Sequence, residues 1–141
     1  MTDEKVILVT GAAGFVGRHL SQQLLSSGYR VKTLLHSADQ ARSLSPKLEH
    51  LSGDLSSISD LGASCEGVDV IIHLAGITHA NNASKKVLQD VNVEGTRNIL
   101  QAAIKKRVTR FVFISSSFAS TAENSAPDSM SYGQSKLLLL T

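Results

Sequence analysis

Short runs of β-branched and apolar residues alternate along this chain with stretches whose apolar positions fall three or four apart. The first run, Val6-Ile7-Leu8-Val9-Thr10, predicts a buried strand, and a helical pattern follows from Phe15 onward. Val16, Leu20 and Leu24 are set four apart on one helical face, and Gly28 is placed to end that helix as a left-handed cap. Tyr29 to Leu35 reads as a second strand, Ala38 to Leu44 as a short helix and Lys47 to Leu51 as a third strand, with Gly53-Asp54-Leu55 as a turn. A helix from Ser57 to about Cys65 leads into Val68 to Leu74, whose continuous apolar run marks a strand covered on both faces. From Ser84 to about Lys106 the pattern predicts one long helix, with Leu88, Val91, Gly95, Ile99 and Ala102 tracing its apolar face. Glycine in mid-helix costs about 1 kcal/mol relative to alanine, so Gly95 predicts a close packing partner. Arg110 to Ser115 is a fifth strand running out into three serines. Phe118 to Ser131 reads as a loop, and a last helix runs from Ser131 to Thr141.

Strands that alternate with helices predict a parallel sheet. Five of them with right-handed crossovers make an α/β, doubly wound fold of the Rossmann type, in which ligands bind beyond the carboxyl ends of the strands. Neither a repeat nor a linker interrupts the pattern, so residues 1–141 form one domain, a length that buries a real core. Composition agrees: 42% of residues are apolar and 18% charged, which favours a compact fold over a disordered one. A formal charge of +2, with both signs scattered, gives no electrostatic surface for nucleic acid. No apolar run approaches membrane-spanning length. Cys65 stands alone, without a partner for an internal disulfide, and Met1 to Lys5 lacks a leader pattern, so a reducing cytoplasm is the expected compartment. Within its helix Cys65 is expected to be inert.

Chemistry concentrates where the first strand ends. Thr10-Gly11-Ala12-Ala13-Gly14-Phe15-Val16-Gly17 places three glycines three apart between a strand and a helix N-terminus. Unpaired N–H groups and the helix dipole suit such a turn to a phosphate or pyrophosphate. Three glycines are also compatible with an ordinary β–α connection, and the choice rests on what else lies at the same sheet edge.

In chain order, Thr10-Gly11-x-x-Gly14-x-x-Gly17, Gly53-Asp54-Leu55, His73-Leu74-Ala75-Gly76, Asn92-Val93-Glu94-Gly95-Thr96 and Tyr132-Gly133-Gln134-Ser135-Lys136 occur at the ends of predicted strands or on the helices that follow. Together they resemble the extended short-chain dehydrogenase/reductase family, the nucleotide-sugar epimerases and dehydratases, from Val6 to Lys136. By that resemblance Gly11, Gly14 and Gly17, with the Phe15-Val16 backbone, hold the pyrophosphate of NAD. Asp54 accepts from the adenine amino group and Leu55 packs beside the ring, while Leu74, Ala75 and Gly76 line the path to the nicotinamide. The resemblance makes Tyr132 the acid/base and Lys136 its partner, which also bonds the nicotinamide ribose. Tyr132 and Lys136 are four apart, so a helix puts both on one face, where the ammonium and the oxidised cofactor would lower the phenol pKa. Ser116, with Ser117 beside it, would hydrogen bond the substrate oxygen. His73, inside a buried strand, is expected to be a packed neutral core residue, whereas His79 in the following loop is a candidate substrate contact.

Three features depart from the family pattern. Dinucleotide sites of this kind usually carry an acidic residue about 20 residues after the glycines. Here the second strand ends Thr33-Leu34-Leu35-His36-Ser37, and His36 or Ser37 can bond either ribose hydroxyls or a 2′-phosphate, with Lys32 and Arg42 nearby. NADP therefore stays open beside NAD. The segment after Ser117, Phe118-Ala119-Ser120-Thr121, differs from the usual turn. The chain also stops five residues after Lys136, at Leu137-Leu138-Leu139-Leu140-Thr141, where family members continue into a substrate-gripping region. Two expectations follow: the cofactor domain of an epimerase, dehydratase or reductase acting on a nucleotide-sugar, or a non-catalytic dinucleotide-binding or dimerising module. In the second case the long helix from Ser84 and the leucine-ended helix from Ser131 pair with a second copy as a homodimer, which would cover an apolar patch.

Overall fold

The computed structural model describes residues 4–78 and 83–116. Its strands are β1 (Val6–Thr10), β2 (Arg30–Leu35), β3 (Glu49–Ser52), β4 (Val70–His73) and β5 (Arg110–Phe113). They form one parallel sheet in the order β3-β2-β1-β4-β5, so β1 is central and the chain reverses direction of travel across the sheet between β3 and β4. In register, Thr10 lies opposite Leu34 on one side and His73 on the other. The doubly wound α/β fold expected from the alternation is the fold observed.

Side-chain alternation along β1 sorts the core into two layers. Ile7 and Val9 point to one face, where Val31, Leu48 and the partly buried Leu24, Leu25 and Leu44 pack on them. Leu8 points to the other, among Leu61, Cys65, Ile71, Ile99, Ala102 and Ala103. The first face is covered by α1 (Phe15–Ser26), the second by α2 (Ile58–Ser64) and α4 (Gly95–Lys105). Helix α1 ends as expected. Gly28 takes φ +84°, its N–H donates to Leu25 O at 3.1 Å, and Tyr29 N–H donates to Leu24 O at 3.2 Å, the paired bonds of a Schellman cap. Ser57 caps α2 by accepting from Asp60 N–H.

The structure corrects three local expectations. On α1 the buried residues are Gly17 and Ser21, while Val16 is 59% exposed. Small residues face the sheet there because the first turn of the helix packs straight onto the glycine turn. The third strand starts at Glu49, two residues later than its apolar run suggested, and pairs only with β2, at a sheet edge where polar side chains reach solvent. The long helix is not uniform. Helix α3 (Lys85–Leu88), capped by Ser84, passes into a π-helical segment at Gln89–Glu94 before α4 begins. Wider π turns bring Asn92 and Val93 to full burial, whereas Val91 is only partly covered. The tight partner predicted at Gly95 is Leu55: a Cβ at Gly95 would lie 3.0 Å from Leu55 Cβ.

Candidate functional site

Every described landmark of the sequence lies at the carboxyl edge of the sheet or on the helix beside it. At the end of β1 the chain turns through Gly11 with φ +71°, a conformation that side-chain-bearing residues rarely adopt. A Cβ there would also stand 2.7 Å from Ala75 N, so the turn is pressed against the backbone that leaves β4. Gly14 N–H donates to Gly11 O at 3.1 Å and closes the turn. Gly17 sits so close that a Cβ would be 2.1 Å from Gly11 O. Gly14 is also the N-cap of α1, in extended geometry, without a side-chain cap and with no acidic residue in the first turn. The N–H groups of Phe15, Val16 and Gly17 are therefore left to an outside acceptor, and the positive end of the helix dipole is not neutralised by the chain. Phe15 (76% exposed) and Val16 flank them as uncovered apolar side chains. These residues fit a pyrophosphate: donors without partners, glycines where a Cβ would obstruct, and no competing carboxylate.

The next two strand ends lie beside this turn. At the end of β3, Asp54 Oδ1 accepts from both the N–H and the hydroxyl of Ser56, each at 2.7 Å. The Ser56 N–H, then its hydroxyl, hold the Asp54 carboxyl below its ordinary value against a smaller desolvation effect, and His36 on the neighbouring strand end adds slightly in the same direction. Asp54 is exposed and ionised, with its second oxygen outside the Ser56 turn. Leu55 is half-buried, wedged against Gly95 and fixed by Asn98, whose Nδ2 donates to Leu55 O at 2.9 Å. At the end of β2, His36 is exposed and its N–H donates to Gln40 Oε1 at 3.1 Å. Ser37 caps the 3-10 turn Ala38–Ser43 by accepting from Asp39 N–H. Of the two cations counted near this end, Arg42 pairs with Asp39 on the surface at 3.4 Å. Lys32 lies back in the body of β2, donating to Glu66 O at 3.1 Å, and is not part of the edge.

Beyond β4 the backbone of Leu74 and Ala75 is tied to the end of β1 and leads on to Gly76. Leu74 N–H donates to Thr10 O, Ala75 N–H donates to Thr10 Oγ1 at 3.2 Å, and Ile77 is held on both sides by Asn92. Asn92 Oδ1 accepts from Ile77 N–H at 2.8 Å and its Nδ2 donates to Ile77 O at 2.9 Å. His73 is fully buried between Thr10 and Thr96, as a packed core residue should be. At the end of β5, Ser115 Oγ is buried without a partner and Ser116 is half-buried beside it. Ser117, Tyr132, Lys136 and His79 lie outside the described residues. Cys65 is buried among apolar side chains, which push its thiol up to about 11. Among the described residues no cluster of acidic, histidine or cysteine side chains could hold a metal, and no helix is long and apolar enough to cross a membrane.

Sequence reasoning assigned no role to Asn92, Thr96 or Asn98. Asn92 and Thr96 stand in a recognised landmark, but their partners are backbone atoms and a ring far away in the chain. Asn98 has no local signature at all.

A central strand followed by a glycine turn, a helix N-terminus and a switch in sheet direction defines a dinucleotide-binding α/β protein. Residues 7–139 match the NAD dependent epimerase/dehydratase family model, and the chain belongs to that family. It is 38% identical over 119 residues to a 3 beta-hydroxysteroid dehydrogenase/Delta 5-->4-isomerase of Mycobacterium tuberculosis, covering 78% of this chain and 31% of that protein. Among solved structures it resembles a short-chain dehydrogenase/reductase superfamily protein of Agrobacterium tumefaciens with bound NAD. The TM-score is 0.78 at 33% identity, over 94% of this chain and 42% of the other. A UDP-galactose 4-epimerase aligns with TM-score 0.79 at 31% identity, over 94% of this chain and 48% of that one. The chain spans about a third of the length of the curated relatives it matches.

Proposed function

We propose that this chain binds NAD along the carboxyl edge of its sheet and supplies the cofactor half of an enzyme that acts at a hydroxyl-bearing carbon. The observation that carries the proposal is the glycine turn. Its uncapped N–H groups, its contact with the β4 backbone and the Asp54 carboxylate beside it are spaced along one edge in the order a dinucleotide needs. Gly11, Gly14, Phe15, Val16 and Gly17 hold the pyrophosphate, His36 faces the adenosine ribose, and Asp54 and Leu55 hold adenine. Leu74, Ala75 and Gly76 border the nicotinamide. The bound nicotinamide supplies hydride acceptance and return. Tyr132 takes and returns the hydroxyl proton, Lys136 lowers its pKa and bonds the ribose, and Ser116, with Ser117 as its neighbour, holds the substrate oxygen.

A nucleotide-sugar is the first substrate class, on the likeness to a UDP-galactose 4-epimerase. A hydroxysteroid is the second, favoured by the 38% identity to a hydroxysteroid dehydrogenase. Exposed Leu100 and Ile104 on α4 support pairing of two copies through that helix. The single unpaired Cys65 supports residence in the reducing cytoplasm. Calorimetry with NAD and NADP at millimolar concentration tests the cofactor site, and absence of binding to both refutes it. In the full protein Tyr132→Phe is expected to abolish turnover and leave cofactor affinity nearly unchanged. Equal activity in that variant rules out the acid/base role. Interconversion of UDP-sugars with transient reduction of bound NAD, or instead net reduction of NAD on adding a 3β-hydroxysteroid, decides the substrate class. Neither outcome, together with a dimer in light scattering, favours a non-catalytic dimerising module.

A further inference from the structure

We propose that His73 is a positioning residue: a one-directional hydrogen-bond relay through its ring fixes the Ala75 backbone on the nicotinamide side of the site. The inference rests on the cofactor reading above for its functional consequence, but not for the relay itself. Three buried side chains and two backbone groups form the relay. Ala75 N–H meets Thr10 Oγ1 at 3.2 Å, Thr10 Oγ1 meets His73 Nδ1 at 2.6 Å, His73 Nε2 meets Thr96 Oγ1 at 2.8 Å, and Thr96 Oγ1 meets Asn92 O at 2.8 Å. Thr10, His73, Asn92 and Thr96 are each at most 4% exposed, so bulk solvent does not reach the relay.

Both ends of this relay are chemically fixed. Asn92 O is a carbonyl and can only accept, so the Thr96 hydroxyl must donate to it. The Thr96 oxygen then accepts from His73 Nε2–H. One ring nitrogen carrying the proton leaves Nδ1 as an acceptor, which requires the Thr10 hydroxyl to donate to it. The Thr10 oxygen is thereby turned to accept from Ala75 N–H, which can only donate. Proton order is thus dictated from the π-helical segment to the β4 loop, and the imidazole is held as one tautomer. The same segment fixes Ile77, two residues further on, through the Asn92 amide. Phe113 flanks the ring with centroids 6.1 Å apart and Phe111 at 6.0 Å, which hinders its rotation.

If the Thr96 hydroxyl is lost, Nε2–H loses its Thr96 acceptor and the ring gains by moving its proton to Nδ1. Nδ1–H then donates to Thr10, whose oxygen must serve two donors at once while its own hydrogen turns away from the ring, which weakens the bond from Ala75 N–H. The experiment compares the complete chain as wild type, Thr96→Val and Thr96→Ser. Three quantities are read: the His73 ring tautomer by 15N NMR, amide exchange at Ala75, and NAD affinity by calorimetry. Wild type is expected to show the Nε2–H form. Thr96→Val is expected to shift the ring toward Nδ1–H, speed Ala75 exchange about tenfold, the scale of one buried hydrogen bond, and weaken NAD binding several-fold. Thr96→Ser restores all three. An Nδ1–H ring in wild type overturns the relay without any variant, and so does unchanged Ala75 exchange in a folded Thr96→Val. A normal relay with NAD affinity unmoved in Thr96→Val overturns the positioning role. Failure of wild type to bind either NAD or NADP removes the cofactor reading instead, and the tautomer and exchange results still decide the relay.

Discussion

Replacing Gly17 by alanine adds one methyl group at the tightest of the described glycine positions, and the same replacement at Gly62 adds it where there is room. At Gly17 the new Cβ would lie 2.1 Å from Gly11 O and 2.7 Å from Ala12 Cα, all backbone atoms that cannot rotate aside. Carbon–oxygen contacts settle near 3.3 Å, so the start of α1 must withdraw from the turn by roughly 1.2 Å. Overpacking of this kind costs about 1–3 kcal/mol, and with backbone on both sides the upper end applies. Better helix propensity returns about 1 kcal/mol, leaving a net loss of about 2 kcal/mol. A shift of about 1 Å also stretches the Phe15 to Gly17 donors out of hydrogen-bond range of a bound anion, and each charge-assisted bond lost weakens binding by about 1.5–3 kcal/mol. Gly62 stands within α2 with nothing within 4 Å of its Cβ position, so Gly62→Ala gains up to about 1 kcal/mol and leaves binding unchanged. Urea unfolding followed by circular dichroism gives the two stabilities, and calorimetry gives NAD affinity. A Gly17→Ala protein as stable as wild type with the same affinity would falsify the close-approach account, and so would a Gly62→Ala protein that loses stability.

Asp54 offers a pH test. Its carboxyl is depressed in the folded protein, so its stabilising effect is complete above the ordinary aspartate value of 3.8 and fades as pH falls through the folded value. The stability gap between wild type and Asp54→Ala should be equal at pH 7 and 5 and narrow as the pH falls below the ordinary aspartate value, measured by urea midpoints; a gap that does not narrow at all on acidification contradicts the Ser56 account. Cys65 should resist iodoacetamide at pH 8 in the native protein and react fully in denaturant, as read by mass spectrometry, since burial holds its thiol near 11. Rapid native alkylation would show that the helix layer over it opens. Asn98→Ala removes the bond to Leu55 O and should cost about 1 kcal/mol of stability and weaken NAD binding several-fold, whereas affinity equal to wild type would show that Leu55 is held by Gly95 alone.

Parallel strands are covered on both faces, and that is why they could be read along the chain as unbroken apolar runs at Val6–Thr10 and Val70–His73. Edge strand β3 has one neighbour and polar side chains, so its start at Glu49 left little trace. The glycine turn was legible because only glycine satisfies both a positive φ at Gly11 and the space at Gly17. Its flanking apolar residue Val16 misled because periodicity alone assigns an apolar residue at helical spacing to the core, whereas α1 turns the small Gly17 and Ser21 inward and leaves Val16 exposed. The π-helical segment was not legible, because widening one turn depends on what packs against the helix and not on residue type. Asn92 and Asn98 look like surface residues on a helix. Their roles depend on Ile77 and Leu55, 15 and 43 residues away, and exist only once the sheet has formed.

The contact between Gly11 and the Ala75 backbone also has a bearing on the order of assembly. β1, α1 and β2 are neighbours in sequence and can pair early, yet the turn between β1 and α1 is completed only when the strand that ends at His73 arrives on the other side of β1. Closing that long loop carries an entropic cost which local pairing does not. Competence to bind the dinucleotide should therefore emerge in refolding after the helical signal of the first half. A nascent chain that had emerged only as far as α2 would hold every glycine of the cradle without yet having the wall that shapes it.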